Sequence, residues 1–243
     1  MTERITDYGR LIVGLRSELF ACAIELAKTQ HMRSPSRPFT WALSGGETPQ
    51  AWYRWCAETQ AIPRDLLASA HFTVSDERPV PFDSAQSNFG NAERLLLAPL
   101  NVPPEHRHPW PVDRAPEESA DSYRQIMAKL SGPDRGYCVC LLGLGDDAHT
   151  ASFFPESPLL RDDGGVLFTA VLTAAKGWRL TVTPTGLRAC DSIIVMALGS
   201  HKATALRRVF TGAYDPLSTP AQILKTCAGQ VVWLVDEAAA KEF

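Results

Sequence analysis

Long hydrophobic runs are missing from this chain of 243 residues. Its longest apolar stretches fall far short of the roughly 20 residues that a membrane-spanning helix needs. Residues 1–7 lack the basic region and apolar block of a secretory signal, so we expect a cytoplasmic protein with no membrane partner. A large excess of one charge is also missing, since the formal net charge is −3, and this argues against a nucleic-acid partner.

Metal-binding patterns are scarce as well. The six cysteines are scattered without a C-x-x-C pair, and Cys138 and Cys140 are expected to be small, buried side chains of a strand. His106 and His108 form a possible metal pair, but no further ligands accompany them, so we interpret residues 103–116 as a surface loop. We therefore expect no metal site.

Strand-like and helix-like segments alternate along the chain. A first amphipathic helix is predicted over residues 11–28, and the segment 34–38, with two prolines, ends it. Strands are predicted at residues 39–43, 72–75, 137–142, 166–172, 178–183, 192–198 and 230–235. This alternation favours an α/β fold with a mostly parallel sheet and helices on both faces, in a single domain spanning residues 1–243.

The most concentrated chemistry follows the predicted strand at residues 137–142. Gly143 and Gly145 release the backbone there, and Asp147 and His149 follow, two residues apart, where a helix could begin. In open α/β sheets, ligands bind at such carboxyl ends of parallel strands. Histidine titrates near neutral pH and can take a proton from water, while a carboxylate can orient it. We interpret the pair as a candidate base and its partner; the alternative is that His149 only caps a helix.

The segment SGGETP at residues 44–49 joins a predicted strand to a predicted helix. Gly45 and Gly46 allow backbone N–H groups to face an anion, the hydroxyls of Ser44 and Thr48 add donors, and the helix N-terminus adds a positive dipole. Thr48 is predicted as the N-cap, because a proline follows it at the first helical position. The spacing matches neither a P-loop nor a dinucleotide-binding motif, so phosphate binding and a plain turn are equally open.

Further charged residues are placed to face the same end of the sheet. Lys202 lies in the first turn of a helix predicted from Ser200, where a cation opposes the helix dipole unless an anion binds. Arg179 opens a predicted strand, and the run DER at residues 76–78 ends another. For each of them, simple exposure to solvent is the alternative.

In this order, the motifs resemble the 6-phosphogluconolactonase family, within the superfamily of glucosamine- and galactosamine-6-phosphate isomerases. The similarity extends from the strand at residues 39–43 to residues 231–236. The matching segments are SGGETP at 44–49, DERPVP at 76–81 with Ser87 and Asn88, GLGDDAHTASFFP at 143–155, RLTVT at 179–183, and Gly199 with Lys202.

The resemblance implies a Rossmann-like three-layer fold and hydrolysis of 6-phosphoglucono-δ-lactone to 6-phosphogluconate in the oxidative pentose phosphate pathway, with no metal or organic cofactor. It implies that His149 is the base, with Asp147 beside it and Arg78 near the substrate. The residues implied to hold the substrate and its phosphate are Ser44, Gly45, Gly46, Thr48, Asp76, Arg179 and Lys202. We therefore expect a carboxylic ester hydrolase that acts on a small sugar-phosphate lactone, as a monomer or weak homo-oligomer.

Two residues depart from the family's pattern. Ala148 stands where glycine is usual, which matters only if that position needs a positive φ. Glu47 stands in the phosphate loop where a small hydroxyl residue or another side chain is usual. Neither change removes a proposed catalytic group.

Two other functions are the alternatives. Amino-sugar phosphate deaminases resemble this chain at the phosphate loop and the histidine motif, but they resemble Asp-Glu-Tyr at residues 76–78 and carry an acid in place of Phe154, so both positions favour the lactonase. A non-catalytic sugar-phosphate sensor needs a DNA-binding or regulatory segment, and the sequence indicates neither.

Overall fold

The computed structural model describes residues 1–33, 37–174 and 176–243. Ten strands are present in these ranges: β1 (Thr2–Thr6), β2 (Gly9–Gly14), β3 (Phe39–Leu43), β4 (Ala70–Val74), β5 (Asp76–Glu77), β6 (Val139–Gly143), β7 (Phe168–Thr173), β8 (Gly177–Val182), β9 (Ser192–Ala197) and β10 (Val231–Asp236). Seven of them form one sheet in the order β1-β2-β10-β9-β6-β3-β4. Within this described sheet every pairing is parallel except that of β1 with β2, which confirms the predicted α/β fold.

Helices flank this sheet on both faces. The α-helices are α1 (Arg16–Arg33), α2 (Glu47–Thr59), α3 (Arg64–Ser69), α4 (Asn88–Ala92), α5 (Pro116–Ser131), α6 (Pro184–Arg188), α7 (Ala203–Thr211) and α8 (Glu237–Ala240). A π-helical turn covers Glu93–Leu97, and 3₁₀ segments cover Pro104–His106, Pro158–Leu160, Ser200–Lys202 and Pro220–Gln230. Within the described ranges, no helix is both long enough and apolar enough to cross a membrane.

The central strands are continuous apolar runs in the sequence, because helices cover both faces of the sheet. Every residue of β3 is buried, and Trp41 of this strand stacks on its register partner Phe72 of β4 with ring centres 5.7 Å apart. Trp52 of α2 packs on the same Trp41 ring from above the sheet, also at 5.7 Å. Cys138 and Cys140 are fully buried in this core, as predicted.

The first predicted helix begins too early. Residues 9–14 form β2 rather than helix, and α1 begins at Arg16. Leu15, which belongs to the helical spacing in the sequence, is 62% exposed. The strand is stabilised by its parallel pairing with β10, a partner that no local pattern reveals. The predicted helix-breaking segment lies partly outside the described residues, since 34–36 are not among them.

The strands predicted at residues 166–172 and 178–183 are present, but they belong to a second sheet. Its order is β5-β8-β7, and its pairings are antiparallel. The chain leaves the main sheet at the end of β4 and enters this small sheet at Asp76, which pairs with Thr181. The small sheet therefore lies at the carboxyl edge of the large one.

The segment at 103–116, predicted to be a surface loop, is partly buried against the fold. Trp110 is fully buried and its Nε1 donates to the carbonyl oxygen of Val74 over 2.8 Å. The backbone N–H of His108 donates to the carbonyl of Phe72, so the segment is bonded along the edge of β4. An apolar anchor inside a proline-rich stretch holds it against the fold.

Candidate active site

Four neighbouring parallel strands, β9, β6, β3 and β4, end at the same edge of the sheet, and the segments that follow them line a cavity of about 350 Å³. This size suits a small ligand. Of the residues predicted for the site, those that line the cavity are Ser44, Gly45, Gly46, Thr48, Asp76, Arg78, His149 and Lys202. In the part of the chain that the structure describes, no group of three or more His, Cys, Asp or Glu side chains is arranged to hold a metal ion.

The loop after β3 directs a helix N-terminus at the cavity. Gly46, with φ +98°, is the N-cap of α2, so the prediction that Thr48 is the N-cap is wrong. The left-handed turn at Gly46 starts the helix two residues earlier than the proline suggests. The first N–H groups of a helix have no partners within it, and here they belong to the cavity wall.

Two contacts fix this loop from behind. The hydroxyl of Tyr53 in α2 accepts the N–H of Ser44 over 2.9 Å and donates to its carbonyl over 2.5 Å. A Cβ atom at Gly45 would lie 2.0 Å from Oδ1 of Asn88, so any other residue there would displace the Asn88 side chain. Asn88 is 2% exposed, lines the cavity and donates from Nδ2 to the carbonyl oxygen of Asp76 over 2.8 Å. In the sequence, Asn88 was noted only as part of a segment that matches the family, and no function was predicted for it.

The acidic run after β4 is buried, so exposure to solvent does not explain it. Glu77 is fully buried, and its carboxylate accepts the backbone N–H groups of Arg78, Asn88 and Phe89 and the hydroxyl of Ser87, over 2.7–3.0 Å. Burial raises the pKa of Glu77, and these four hydrogen bonds oppose the rise. Glu77 thereby ties the start of α4 to β5, a structural role that the sequence pattern did not distinguish.

Asp76 faces the opposite way, toward the cavity. Its Oδ2 accepts the hydroxyl of Ser152 over 2.7 Å, so the segment after β6 and the segment after β4 are linked across the site. Arg78 also lines the cavity, and its NH1 donates to the carbonyl oxygen of Gln86 over 2.5 Å. One guanidinium group therefore belongs to the cavity wall.

The imidazole and carboxylate predicted as a pair are in contact. Oδ1 of Asp147 lies 2.6 Å from Nδ1 of His149 and also accepts the backbone N–H of the same residue over 3.0 Å. The hydrogen bond from His149 lowers the pKa of Asp147 to about 2, so this carboxylate is ionised at neutral pH. Asp147 does not itself belong to the cavity lining that the described residues form; it holds His149, which does.

No helix begins at His149, so the alternative that this histidine only caps a helix is wrong; residues 145–152 are a series of turns in the described chain. Ala148 and Ala151 have positive φ values of +65° and +45°, which interrupt helical geometry. Ala148 is fully buried, and its carbonyl accepts the N–H of Ala221 over 2.9 Å. The position where the family usually has glycine is therefore one that suits glycine.

Lys202 lies in the 3₁₀ turn after β9, and α7 begins only at Ala203, later than the start predicted from Ser200. Its side chain is 16% exposed, and its Nζ donates over 2.7 Å to the carboxylate of Asp146, which is 72% exposed. The hydrogen bond from Lys202 lowers the pKa of Asp146. An ammonium group thus lines the same cavity as the α2 N-terminus and is paired with a more exposed carboxylate.

Arg179 lies outside the cavity lining that the described residues form. Its NH1 donates to the carbonyl oxygens of Lys176 and Trp178, and its guanidinium carbon lies 5.9 Å from the ring centre of Phe154. Burial lowers the pKa of Arg179, and the nearby charge of Arg78 lowers it further. The two arginines are therefore close to each other, although only Arg78 reaches the cavity.

Comparison with known proteins places this chain in a family. The model of the glucosamine-6-phosphate isomerases/6-phosphogluconolactonase family matches residues 17–233. The chain belongs to this family. It is 34% identical over 207 residues to a 6-phosphogluconolactonase of Synechocystis, a match that covers 83% of each chain.

Solved structures agree with this assignment. The fold is similar to that of a 6-phosphogluconolactonase from Trypanosoma cruzi, with a TM-score of 0.82, 27% identity, and coverage of 100% of this chain and 98% of the other. A monomeric glucosamine-6-phosphate deaminase also shares the fold, with a TM-score of 0.76 over 96% of this chain and 99% of the other, at 17% identity. The fold alone therefore does not separate the two activities.

Proposed function

We propose that this chain is a 6-phosphogluconolactonase that hydrolyses 6-phosphoglucono-δ-lactone to 6-phosphogluconate in the oxidative pentose phosphate pathway. The observation that carries the proposal is one cavity lined by His149, which Asp147 holds, together with a helix N-terminus and Lys202. The identity to lactonases over most of the chain supports it. The proposal includes one catalytic domain that acts in the cytoplasm on a small molecule, as a monomer or weak homo-oligomer.

His149 is the base in this mechanism. Asp147 keeps the proton on Nδ1, which leaves Nε2 to accept a proton from water. The resulting hydroxide attacks the lactone carbonyl carbon and forms a tetrahedral oxyanion. When the ring C–O bond breaks, the imidazolium returns its proton to the departing oxygen, so the base is regenerated and no other group is consumed.

The oxyanion needs a positive partner at the centre of the cavity. Arg78 is the residue we propose for this role, because it lines the cavity and carries a fixed charge. Asp76 and its hydrogen bond to Ser152 hold the surrounding segments and face the hydroxyl groups of the sugar.

The phosphate end of the substrate binds at the start of α2. The free N–H groups after Gly46, the hydroxyls of Ser44 and Thr48, and the ammonium of Lys202 together suit a phosphate that carries nearly two negative charges. Arg179 lies outside the cavity lining that the described residues form, so its proposed contribution to phosphate binding is a positive charge near Arg78. Binding at this non-reacting end positions the lactone for attack.

A coupled assay of lactone decay above its spontaneous rate tests the proposal. We expect the purified chain to accelerate decay and His149→Ala to reduce turnover to the background rate while the protein stays folded, with a cooperative thermal unfolding transition. His106→Ala, a histidine outside the cavity, is the matched control and keeps full turnover. Near-normal turnover by His149→Ala contradicts the mechanism, and release of ammonia from glucosamine 6-phosphate by the wild type favours the deaminase alternative.

A further inference from the structure

Phe154 is the aromatic residue in contact with the proposed base. Its ring centre lies 4.5 Å from that of the His149 imidazole, and the two planes are tilted by 36°. The guanidinium carbon of Arg179 lies 5.9 Å from the centre of the same ring. One phenyl ring therefore contacts the imidazole and also lies near the guanidinium of Arg179.

The backbone around Phe154 holds this ring in place. The carbonyl of Phe154 accepts the N–H of Ser157 over 3.0 Å, and Phe153 just before it is fully buried. The N–H of Phe153 donates to the carbonyl of Thr150, which closes the turn between the imidazole and the phenyl ring. The ring is thus part of the same short, hydrogen-bonded segment as the base.

We propose that Phe154 is a positioning residue that sets the plane of the His149 imidazole and stabilises its protonated form; this inference rests on the lactonase function proposed above. Asp147 contacts the edge of the imidazole at Nδ1, and Phe154 contacts its face. Two contacts in different directions leave the ring little freedom to rotate, so Nε2 keeps its direction toward the cavity.

The charge of the imidazole changes during hydrolysis, so the phenyl ring interacts differently with its neutral and protonated forms. A cation near the face of an aromatic ring is attracted by the negative potential of that face. The imidazolium that forms when His149 takes its proton gains this attraction, whereas the neutral imidazole does not. The stabilisation is therefore larger in the transition state than in the resting enzyme, which raises kcat rather than lowering KM.

Substitution of the ring by an aliphatic group of similar size tests the proposal. In Phe154→Leu, kcat falls about three- to tenfold with KM almost unchanged, and the acidic limb of the kcat/KM profile moves to lower pH. Phe154→Tyr keeps the aromatic face and restores kcat to within about twofold of wild type. Phe82→Leu, at a 38% exposed phenylalanine that packs on Phe89, is the matched control and leaves kcat and the profile unchanged.

One further measurement separates the possible failures. NMR of the unliganded protein follows the ring protons of His149 with pH, and we expect their midpoint to move to lower pH in Phe154→Leu, whatever the substrate is. An unchanged midpoint and an unchanged kcat in a folded Phe154→Leu overturn the inference. A wild type without lactonase activity overturns the proposed function, while the NMR result still decides the role of Phe154.

Discussion

Asp147 contacts His149 twice, because one oxygen of its carboxylate faces both the backbone N–H and the Nδ1 of that residue. Such a double contact between residues two apart requires a sharp turn at the residue between them. Ala148 supplies the turn with φ +65°, at the energetic cost that a left-handed conformation has for any residue with a side chain.

The carboxylate of Asp147 is expected to matter for rate more than for binding. In Asp147→Asn the amide cannot keep the imidazole in the required tautomer, so we expect kcat to fall about 10- to 100-fold with a small change in KM. Steady-state kinetics of this variant beside Asp134→Asn, an exposed acid away from the cavity, measures the effect. Equal kcat values in the two variants contradict the assigned role.

Stability follows from the same contact. The pKa of Asp147 is lowered to about 2 in the folded protein, so its contribution is present above the ordinary carboxyl range and is lost as the pH falls toward 2. Asp147→Asn should therefore be less stable than wild type above about pH 4, and acid unfolding should show this difference disappearing as the pH falls toward 2.

Ala148 provides a test of backbone strain. Ala148→Gly relieves roughly 1 kcal/mol of left-handed strain. It also removes a buried methyl group and increases the entropy of the unfolded chain, and both effects oppose this gain. We therefore expect the free energy of unfolding to change by less than about 1 kcal/mol, with activity retained. Ala148→Val places a β-branched side chain in a fully buried left-handed site and is expected to cost more than about 2 kcal/mol. Denaturant unfolding of both variants measures this order; a stable Ala148→Val contradicts it.

Lys202 and Asp146 form an ion pair, and we expect substitutions of these two residues to change KM in opposite directions. Lys202→Ala removes a charged donor to phosphate, so we expect KM to rise roughly 10- to 100-fold with kcat less affected. Asp146→Asn removes the carboxylate that competes for the ammonium, so KM is expected to fall by up to about threefold. Kinetics of both variants at low ionic strength test this. A KM unchanged by Lys202→Ala argues against the phosphate role, and a raised KM in Asp146→Asn argues against competition.

Three histidines at the edge of β4 predict sensitivity to acid. Nδ1 of His71 lies 2.8 Å from Nε2 of His108, and the ring of His106 lies 4.5 Å from that of His71. Burial lowers the pKa of His71 and lowers that of His108 to about 4, with the neighbouring histidines adding to the effect. Since the unfolded chain takes up protons near pH 6.5, stability is complete above that value and is lost as the pH falls from about 6.5 toward 4.

Thermal unfolding between about pH 7 and 5 measures this loss. In His108→Gln the fall of Tm with decreasing pH should become shallower than in wild type. His31→Gln, at a histidine that contacts Ser69 instead, keeps the wild-type slope. The same slope in His108→Gln as in wild type contradicts the prediction.

Sequence reasoning predicted well those parts of the fold that are determined by residues close together in the chain. Trp41 and its neighbours form an uninterrupted apolar run, and a strand covered on both faces requires such a run. The contact between Asp147 and His149 was also predictable, because residues two apart beside glycines are close in any tight turn. Both depend on residues that are neighbours in the chain.

The features that were missed depend on distant partners. Leu11 belongs to β2 only because Trp233 of β10 lies beside it, and its spacing from Leu15 and Leu19 is equally typical of a helix. The position of Arg179 outside the cavity follows from the small sheet, in which β8 pairs with β5 and β7. The role of Glu77 depends on the start of α4 at Asn88, which is close in space but eleven residues later in the chain. Pairings of this kind have no signature in a short window of sequence.

The place of β10 in the large sheet has a consequence for how the chain folds. This strand is the last to be synthesised among those described, yet it lies between β2 and β9, and Trp233 donates to the carbonyl of Tyr8, 225 residues earlier. The N-terminal hairpin therefore has no parallel partner until β10 has been synthesised, more than 200 residues later in the chain. Because closing so long a loop is entropically costly, we expect completion of this sheet to be a late and slow step, during which the unpaired edge of β9 is exposed to association with other chains.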